Sequence, residues 1–241
     1  MAIQQILDNT AEQQRQEMEK LLNRSKKNTM KIKKIGHCCL VIEIKGVRIL
    51  TDPGAYTTEQ NEEKNIDIVA ITHEHGDHFH IESLKIIIAN NPGVKVVTNT
   101  AVGKLLAVEG IAFELLEDGD AITLNDIVFE GHGEHHATIY KEMGQVQNTG
   151  FMIDDTLFYP GDAFTLPGKP VSILALPVAA PWLKLSEVLE YAFAVKPTTA
   201  FPVHDIILSH PQMMQPMFIP LLEQEGIKFV PLNPGDTHDF E

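Results

Sequence analysis

The segment Thr72-His73-Glu74-His75-Gly76-Asp77-His78 packs three imidazoles and a carboxylate directly behind the apolar run Ile66-Asp67-Ile68-Val69-Ala70-Ile71. Donors of these two types suit zinc, manganese and iron, and a set this dense has few uses besides holding metal. Where a chain leaves a strand in extended form, side chains at i and i+2 project to the same side, so His73 and His75 are placed to chelate one ion. Gly76 permits a sharp turn, after which Asp77 and His78 point toward a neighbouring second ion. Glu74 is expected to face away from the metal. The spacing differs from the His-Glu-x-x-His helix of zinc proteases, whose imidazoles stand four apart on one face.

Four ligands from one loop do not complete two sites, so further donors are expected at the ends of later strands. Gly133-Glu134-His135-His136 follows a strand expected at 127–129. Pro160-Gly161-Asp162 follows one at 157–159, and Pro202-Val203-His204-Asp205 ends one at 199–203. A rigid strand end is a common mount for a catalytic group. A lone His or Asp in a turn is more often structural, and it is the coincidence with the first cluster that gives these positions weight.

The elements that must position them alternate along the chain. Short strands are expected at 30–35, 38–44 and 47–50, the last two joined by the Lys45-Gly46 hairpin signal. Further strands are expected at 66–71, 94–98, 112–115, 127–129, 150–153, 157–159, 172–176, 199–203 and 228–230. Helices are expected at 81–89, 101–108, 185–195 and 212–225. Strands mixed with helices in this way suggest two sheets with helices outside. Residues 3–28, without Gly or Pro, favour a helix that packs at the domain edge or against a second copy of the chain. The plan is therefore an N-terminal helical extension, 1–29, and one large domain, 30–241.

Composition limits the function classes. A net charge of −14 disfavours nucleic acid and anionic membrane as partners, because binding phosphate backbones needs clustered Lys and Arg. Lys20, Arg24, Lys26, Lys27, Lys31, Lys33 and Lys34 form a local exception, read as a solvated face with an anion-docking patch as the alternative. No apolar stretch approaches the roughly 20 residues that cross a bilayer, and the N-terminal residues are polar. Cys38 and Cys39 are adjacent and have no other cysteine to pair with, which agrees with a reducing compartment. A cytoplasmic protein is expected.

Several motifs occur in a characteristic order: Gly36-His37 after the first strand, Thr51-Asp52-Pro53, His-x-His-x-Asp-His at 73–78, Gly-Glu-His at 133–135, Gly161-Asp162 and His204. In this the chain resembles the metallo-β-lactamase superfamily of metal-dependent hydrolases over residues 30–235. Gly36-His37-Cys38-Cys39-Leu40 and Leu176-Pro177-Val178-Ala179-Ala180-Pro181-Trp182 look like the compact bacterial proteins related to its ascorbate-lactonase-like group. The resemblance implies a four-layer αββα sandwich of two mixed β-sheets flanked by helices. It also implies that His73, His75 and His135 hold one metal, that Asp77, His78 and His204 hold a second, and that Asp162 bridges them. His136 is the alternative to His135, which is favoured because Gly-Glu-His aligns with the family pattern. Asp52 is expected to support ligands from behind, His132 to do the same or to be structural, and His37 to contact substrate. His80, His210 and His238 are expected at the surface or at caps. Trp182 is expected either at a pocket rim or in the core.

A pair of ions about 3.5–4 Å apart lowers the pKa of a bridging water to roughly 7 and clamps the reacting carbonyl or phosphoryl oxygens. Asp77 then orients the hydroxide or takes its proton, and His37 or a metal-bound water serves as acid. The resemblance favours zinc, with manganese or iron as alternatives. The expected reaction is hydrolysis of a small ester-like or cyclic metabolite of the lactone type. A phosphodiesterase or nuclease with the same ions is the alternative, and a non-hydrolytic metal-binding or sensing protein is a further one.

Overall fold

A computed structural model describes residues 29–143, 145–213 and 215–241. The expected helix at 3–28, and any contact between copies through it, lie outside those residues. Along the chain come β1 (Met30–Gly36), β2 (Cys39–Ile44), β3 (Val47–Thr51), β4 (Ile68–Ile71), β5 (Lys95–Thr98) and β6 (Glu114–Leu115). They are followed by β7 (Ala121–Leu124), β8 (Ile127–His132), β9 (Gly150–Ile153), β10 (Leu157–Tyr159), β11 (Ile173–Pro177), β12 (Thr199–Val203) and β13 (Lys228–Phe229). The closing strand, β14 (Thr237–Phe240), returns to pair with β1. One sheet runs β14-β1-β2-β3-β4-β5-β6 and the other β13-β12-β11-β10-β9-β8-β7. Each is parallel in one half, β3 to β6 and β10 to β13, and antiparallel in the other.

Burial explains the layering. Ile42, Ile49 and Ala70 of the first sheet meet Phe129, Phe151 and Phe201 of the second in one apolar cluster between the sheets. The opposite face of the first sheet, with Val41, Val69 and Val96, is covered by α1 (Ile81–Asn90) and α2 (Thr100–Val108) through Leu84, Ile87, Val102 and Leu106. The outer face of the second is covered by α3 (Leu185–Val195) and α4 (Gln215–Gln224) through Val188, Tyr191, Phe218 and Leu222. The order is helix, sheet, sheet, helix, as expected. β4 is buried at all four positions, which is why its sequence is a continuous apolar run rather than an alternating one. Asn99 caps α2, its side chain accepting from the Val102 amide at 3.2 Å.

Two strands escape the sequence reading. β7 buries only Leu124 of its four residues, so its apolar pattern is too weak to register. β14 lies in the acidic tail, and what makes it a strand is distant pairing, Met30 with Phe240 and Lys31 with Asp239. The second of these pairs also sets Lys31 Nζ 3.9 Å from Asp239.

The same region buries a charge. Lys34 of β1 is fully buried, and its Nζ donates to Asp205 Oδ1 at 2.7 Å, Pro202 O at 2.8 Å and Leu232 O at 3.2 Å. It thereby ties β1 to the end of β12 and to the segment leading into β14. Burial pushes the ammonium below its ordinary pKa, and Asp205 opposes that shift. Removing one partner of such a pair strands the other charge, at a cost of about 3–5 kcal/mol. Lys34→Met is expected to lose that much unfolding free energy in urea, and Lys34→Met with Asp205→Leu to recover a large part. A loss below about 1 kcal/mol in the single variant would contradict the pairing.

Candidate metal centre

The ends of β1, β3, β4, β10 and β12, with the segments after β8 and β11, converge on one crevice. The loop after β4 supplies His73, His75, Asp77 and His78; the segment after β8 supplies His136; β10 leads to Asp162 and β12 to His204. Three of the participating strand ends carry non-glycine residues at positive φ, namely His37 (52°), Asp52 (37°) and His204 (61°). Such residues are uncommon, and they cluster where surrounding structure holds a functional geometry. Gly54 lets the turn after Asp52 press on the loop, since a Cβ there would lie 1.8 Å from the Asp77 carbonyl oxygen.

Two donor groups result. His73, His75 and His136 each offer one atom, all within 4.8 Å of one another, and so do Asp77, His78, Asp162 and His204. Asp162 stands between the groups. Its Oδ1 is 3.1 Å from His78 Nε2, and its Oδ2 is 2.9 Å from His204 Nε2 and 3.3 Å from His136 Nε2. Trp182 Nε1 donates to the same Oδ2 at 3.0 Å.

The imidazoles are anchored from behind. His78 Nδ1 donates to Asp52 Oδ2 at 2.7 Å. That carboxylate also accepts from the Thr72 amide and hydroxyl, each at 2.8 Å, with the Tyr159 hydroxyl a further 2.8 Å away. Because the Thr72 proton goes to Asp52, His73 Nδ1 is the donor in its 3.0 Å contact with Thr72 Oγ1. His136 Nδ1 donates to Ala137 O at 2.5 Å and His204 Nδ1 to Ala179 O at 2.6 Å. Fixing Nδ1 in this way turns Nε2 toward the crevice, the usual support for a metal-ligating histidine. His73 Nε2, His78 Nε2, His204 Nε2 and Asp162 Oδ1 are buried without a hydrogen-bond partner. Orphaned buried polar atoms are costly, and divalent cations fit this donor set.

The charges agree. Burial pushes the pKa of His73 and His75 down, and nearby imidazoles add to it, which favours the neutral form that binds metal. Burial acts to raise Asp77, but His204 beside its carboxylate and the hydrogen bond from His37 hold it far below the carboxylate range. Asp162 is likewise held low by His78, His136 and His204 against the effect of burial. For His204 burial opposes the charged form, yet its acidic neighbours push its pKa up to about 11. Two ionised carboxylates in a buried crevice call for positive charge, which a cation provides without protonating the imidazoles.

One expected residue changes. His135 points outward with its side chain 79% exposed, whereas the neighbouring His136 side chain is 1% exposed and joins His73 and His75. The chain is extended there, His135 bridging to Gln147 and the His136 amide donating to Val146 O at 3.0 Å, so adjacent side chains point to opposite sides. His37 also sits elsewhere than expected. It is buried behind Asp77, with Nε2 3.1 Å from Asp77 Oδ2, and does not line the crevice. His132 packs on Phe158, His80 contacts Ser83 beside α1, His238 packs on Phe240 and His210 is exposed. Glu74 belongs to neither group. Thr72, Tyr159 and Trp182 gain their roles only through distant contacts that no local spacing announces.

Residues 31–204 match the sequence model of a family described as the beta-lactamase superfamily domain. The chain belongs to the metallo-β-lactamase superfamily. Among its relatives, Rv0786c of Mycobacterium tuberculosis is 31% identical over 75% of this chain and 86% of its own length. The UPF0173 metal-dependent hydrolase NEQ378 of Nanoarchaeum equitans is 25% identical over 88% of this chain and its full length. The fold is shared with Igni18, a metallo hydrolase of Ignicoccus hospitalis, at a TM-score of 0.73 and 21% identity over 89% of this chain and 99% of that one. Within the superfamily fold, the crevice has a volume of about 360 Å³, and its wall includes Tyr56, Ile139, Pro181, Trp182 and Ile207 beside the donors. Among the described residues, no Lys or Arg lines it.

Proposed function

We propose that this metal-dependent hydrolase of the metallo-β-lactamase superfamily holds two divalent ions, zinc with manganese or iron as alternatives, and hydrolyses a small, neutral, ester-like or cyclic metabolite of the lactone type. His73, His75 and His136 would hold one ion, and Asp77, His78 and His204 the other, with Asp162 between them. The observation that carries the reading is the pair of donor groups meeting at Asp162 beneath an apolar-rimmed crevice that, among the described residues, no Lys or Arg lines. The ions, when bound, would supply water activation and carbonyl polarisation.

The side chains do the rest. Asp77 is ionised and lines the crevice, and its Oδ2 is held by His37 and lies 3.4 Å from His204 Nε2. That leaves Oδ1 to take the proton of the attacking water and return it to the leaving group. His37, kept neutral chiefly by burial, steadies Asp77 as a hydrogen-bond donor. Tyr56, Ile139 and Ile207 pack against the apolar part of the substrate and limit access of bulk water. A phosphodiester would have only the ions to meet its negative charge, with no Lys or Arg in the crevice wall among the described residues to add to them, which ranks the phosphodiesterase reading second. The residues Gly36–Leu40 and Leu176–Trp182 favour the ascorbate-lactonase-like branch, and two free, buried cysteines suit a reducing cytoplasm.

The test is elemental analysis of the purified protein followed by a panel of lactones, thioesters and bis-aryl phosphodiesters. Two equivalents of metal and turnover of a lactone are expected. Phosphodiester turnover without lactone activity would reverse the ranking, and a metal-free active protein would overturn the reading.

A further inference from the structure

Cys38 and Cys39 stand next to each other where the turn after β1 enters β2, and they pack into different clusters. Cys39 joins the apolar cluster beneath α1 and α2, and Cys38 the cluster between the sheets, below the crevice. Both are buried free thiols. Cys38 alone has company with chemistry, since His37, Cys38, His78 and His204 each offer one donor atom, all four within 4.8 Å of one another and all four residues buried. Each of the three imidazoles also has a ring nitrogen to spare, since His37 Nδ1, His78 Nε2 and His204 Nε2 are buried without partners.

We propose that His37, Cys38, His78 and His204 form a second, thiolate-containing site for one thiophilic cation of the zinc or cadmium type, exclusive with the ion held by Asp77, His78, Asp162 and His204. Three imidazoles and one sulfur make a tetrahedral donor set of the kind zinc accepts, at about 2.0–2.3 Å from the ion. The two sites differ in hardness. The first includes two carboxylates and suits zinc, manganese or iron; the second exchanges them for a sulfur and selects softer ions. Since His78 and His204 serve both, one ion in the thiolate site takes two ligands from the other. A thiophilic metal would then displace the working ion rather than add to it. Binding through Cys38 releases the thiol proton to solvent, because the thiolate is the ligand. His37 and His204 both sit at strand-exit turns with positive φ, so the contraction onto an ion is taken up in turns and not within strands.

The inference rests on His78 and His204 facing a cation, as in the proposed function, but its test is spectroscopic and needs no substrate. The protein is loaded with cobalt(II), and the near-ultraviolet thiolate-to-cobalt charge-transfer band is recorded for the wild type, Cys38→Ser and Cys39→Ser. Wild type and Cys39→Ser are expected to show the band and Cys38→Ser to lose it entirely. Cadmium-113 resonances of the wild-type protein give the same answer without a variant, a sulfur-shifted signal supporting the site and only nitrogen- and oxygen-type signals opposing it. Cobalt bound without the band, or a band that survives in Cys38→Ser, overturns the thiolate site and leaves the two-ion reading standing. Failure to bind cobalt at all overturns both.

Discussion

His136→Ala is expected to lose bound metal and at least about 100-fold in kcat/KM, while His135→Ala keeps both near wild-type levels. Changes to the hydrogen-bond partners of metal ligands alone cost about 10–100-fold, and removing a ligand should exceed that range. The contrast is sharp because the residues are neighbours of the same type, so composition and charge change equally in the two variants. Only the direction of the side chain differs. His136 Nε2 is 3.3 Å from Asp162 Oδ2, whereas His135 Nε2 has Glu134 at 3.8 Å and solvent around it. Metal content and kinetics measured on both variants decide the matter. Retained metal in His136→Ala together with loss in His135→Ala would restore the assignment that the Gly-Glu-His pattern favours.

Asp162→Ala is expected to abolish the second ion and most turnover. The carboxylate contacts His78 through one oxygen and His136 and His204 through the other, so its removal separates the donor groups. It also strips a negative charge from a buried place where three imidazoles converge and leaves Trp182 Nε1 without its acceptor. A drop in kcat/KM of at least about 100-fold corresponds to about 2.7 kcal/mol or more of lost transition-state stabilisation. Elemental analysis should read about one equivalent of metal in place of two. Full activity with two bound metals in this variant would sink the bridging role. A parallel melting curve separates loss of the ion from loss of the fold.

The two variants test different kinds of inference. Asp162 was legible because a carboxylate behind Pro160-Gly161 at a strand end is a local pattern. Its glycine has a reason, since a Cβ on Gly161 would lie 2.3 Å from Asn148 Oδ1, the atom that accepts from the Asp162 amide. His136 was not legible, because two adjacent histidines in an extended segment present the same local pattern shifted by one. Which of them faces inward depends on how residues 135–137 pair with Gln147, Val146 and the Asp162 carbonyl. His37 stands behind the crevice wall for a related reason. A strand-end histidine near a metal site reads as lining, and only the packing of Tyr56, Asp77 and His204 around its ring puts it in the second row.

Local spacing alone determined the metal chemistry, the splitting of residues 73–78 between two donor groups and the alternation of strands and helices that builds a sandwich. These depend on periodicities of two and 3.6 residues, which are properties of the backbone. Tertiary structure decided which of two neighbouring histidines faces the crevice, which polar groups hold the donor side chains from behind, and which rim closes the crevice. Thr72, Tyr159 and Trp182 meet Asp52 and Asp162 across 20 to 107 residues of chain. Contacts over such separations exist only after the two sheets have packed, so no window along the sequence contains them.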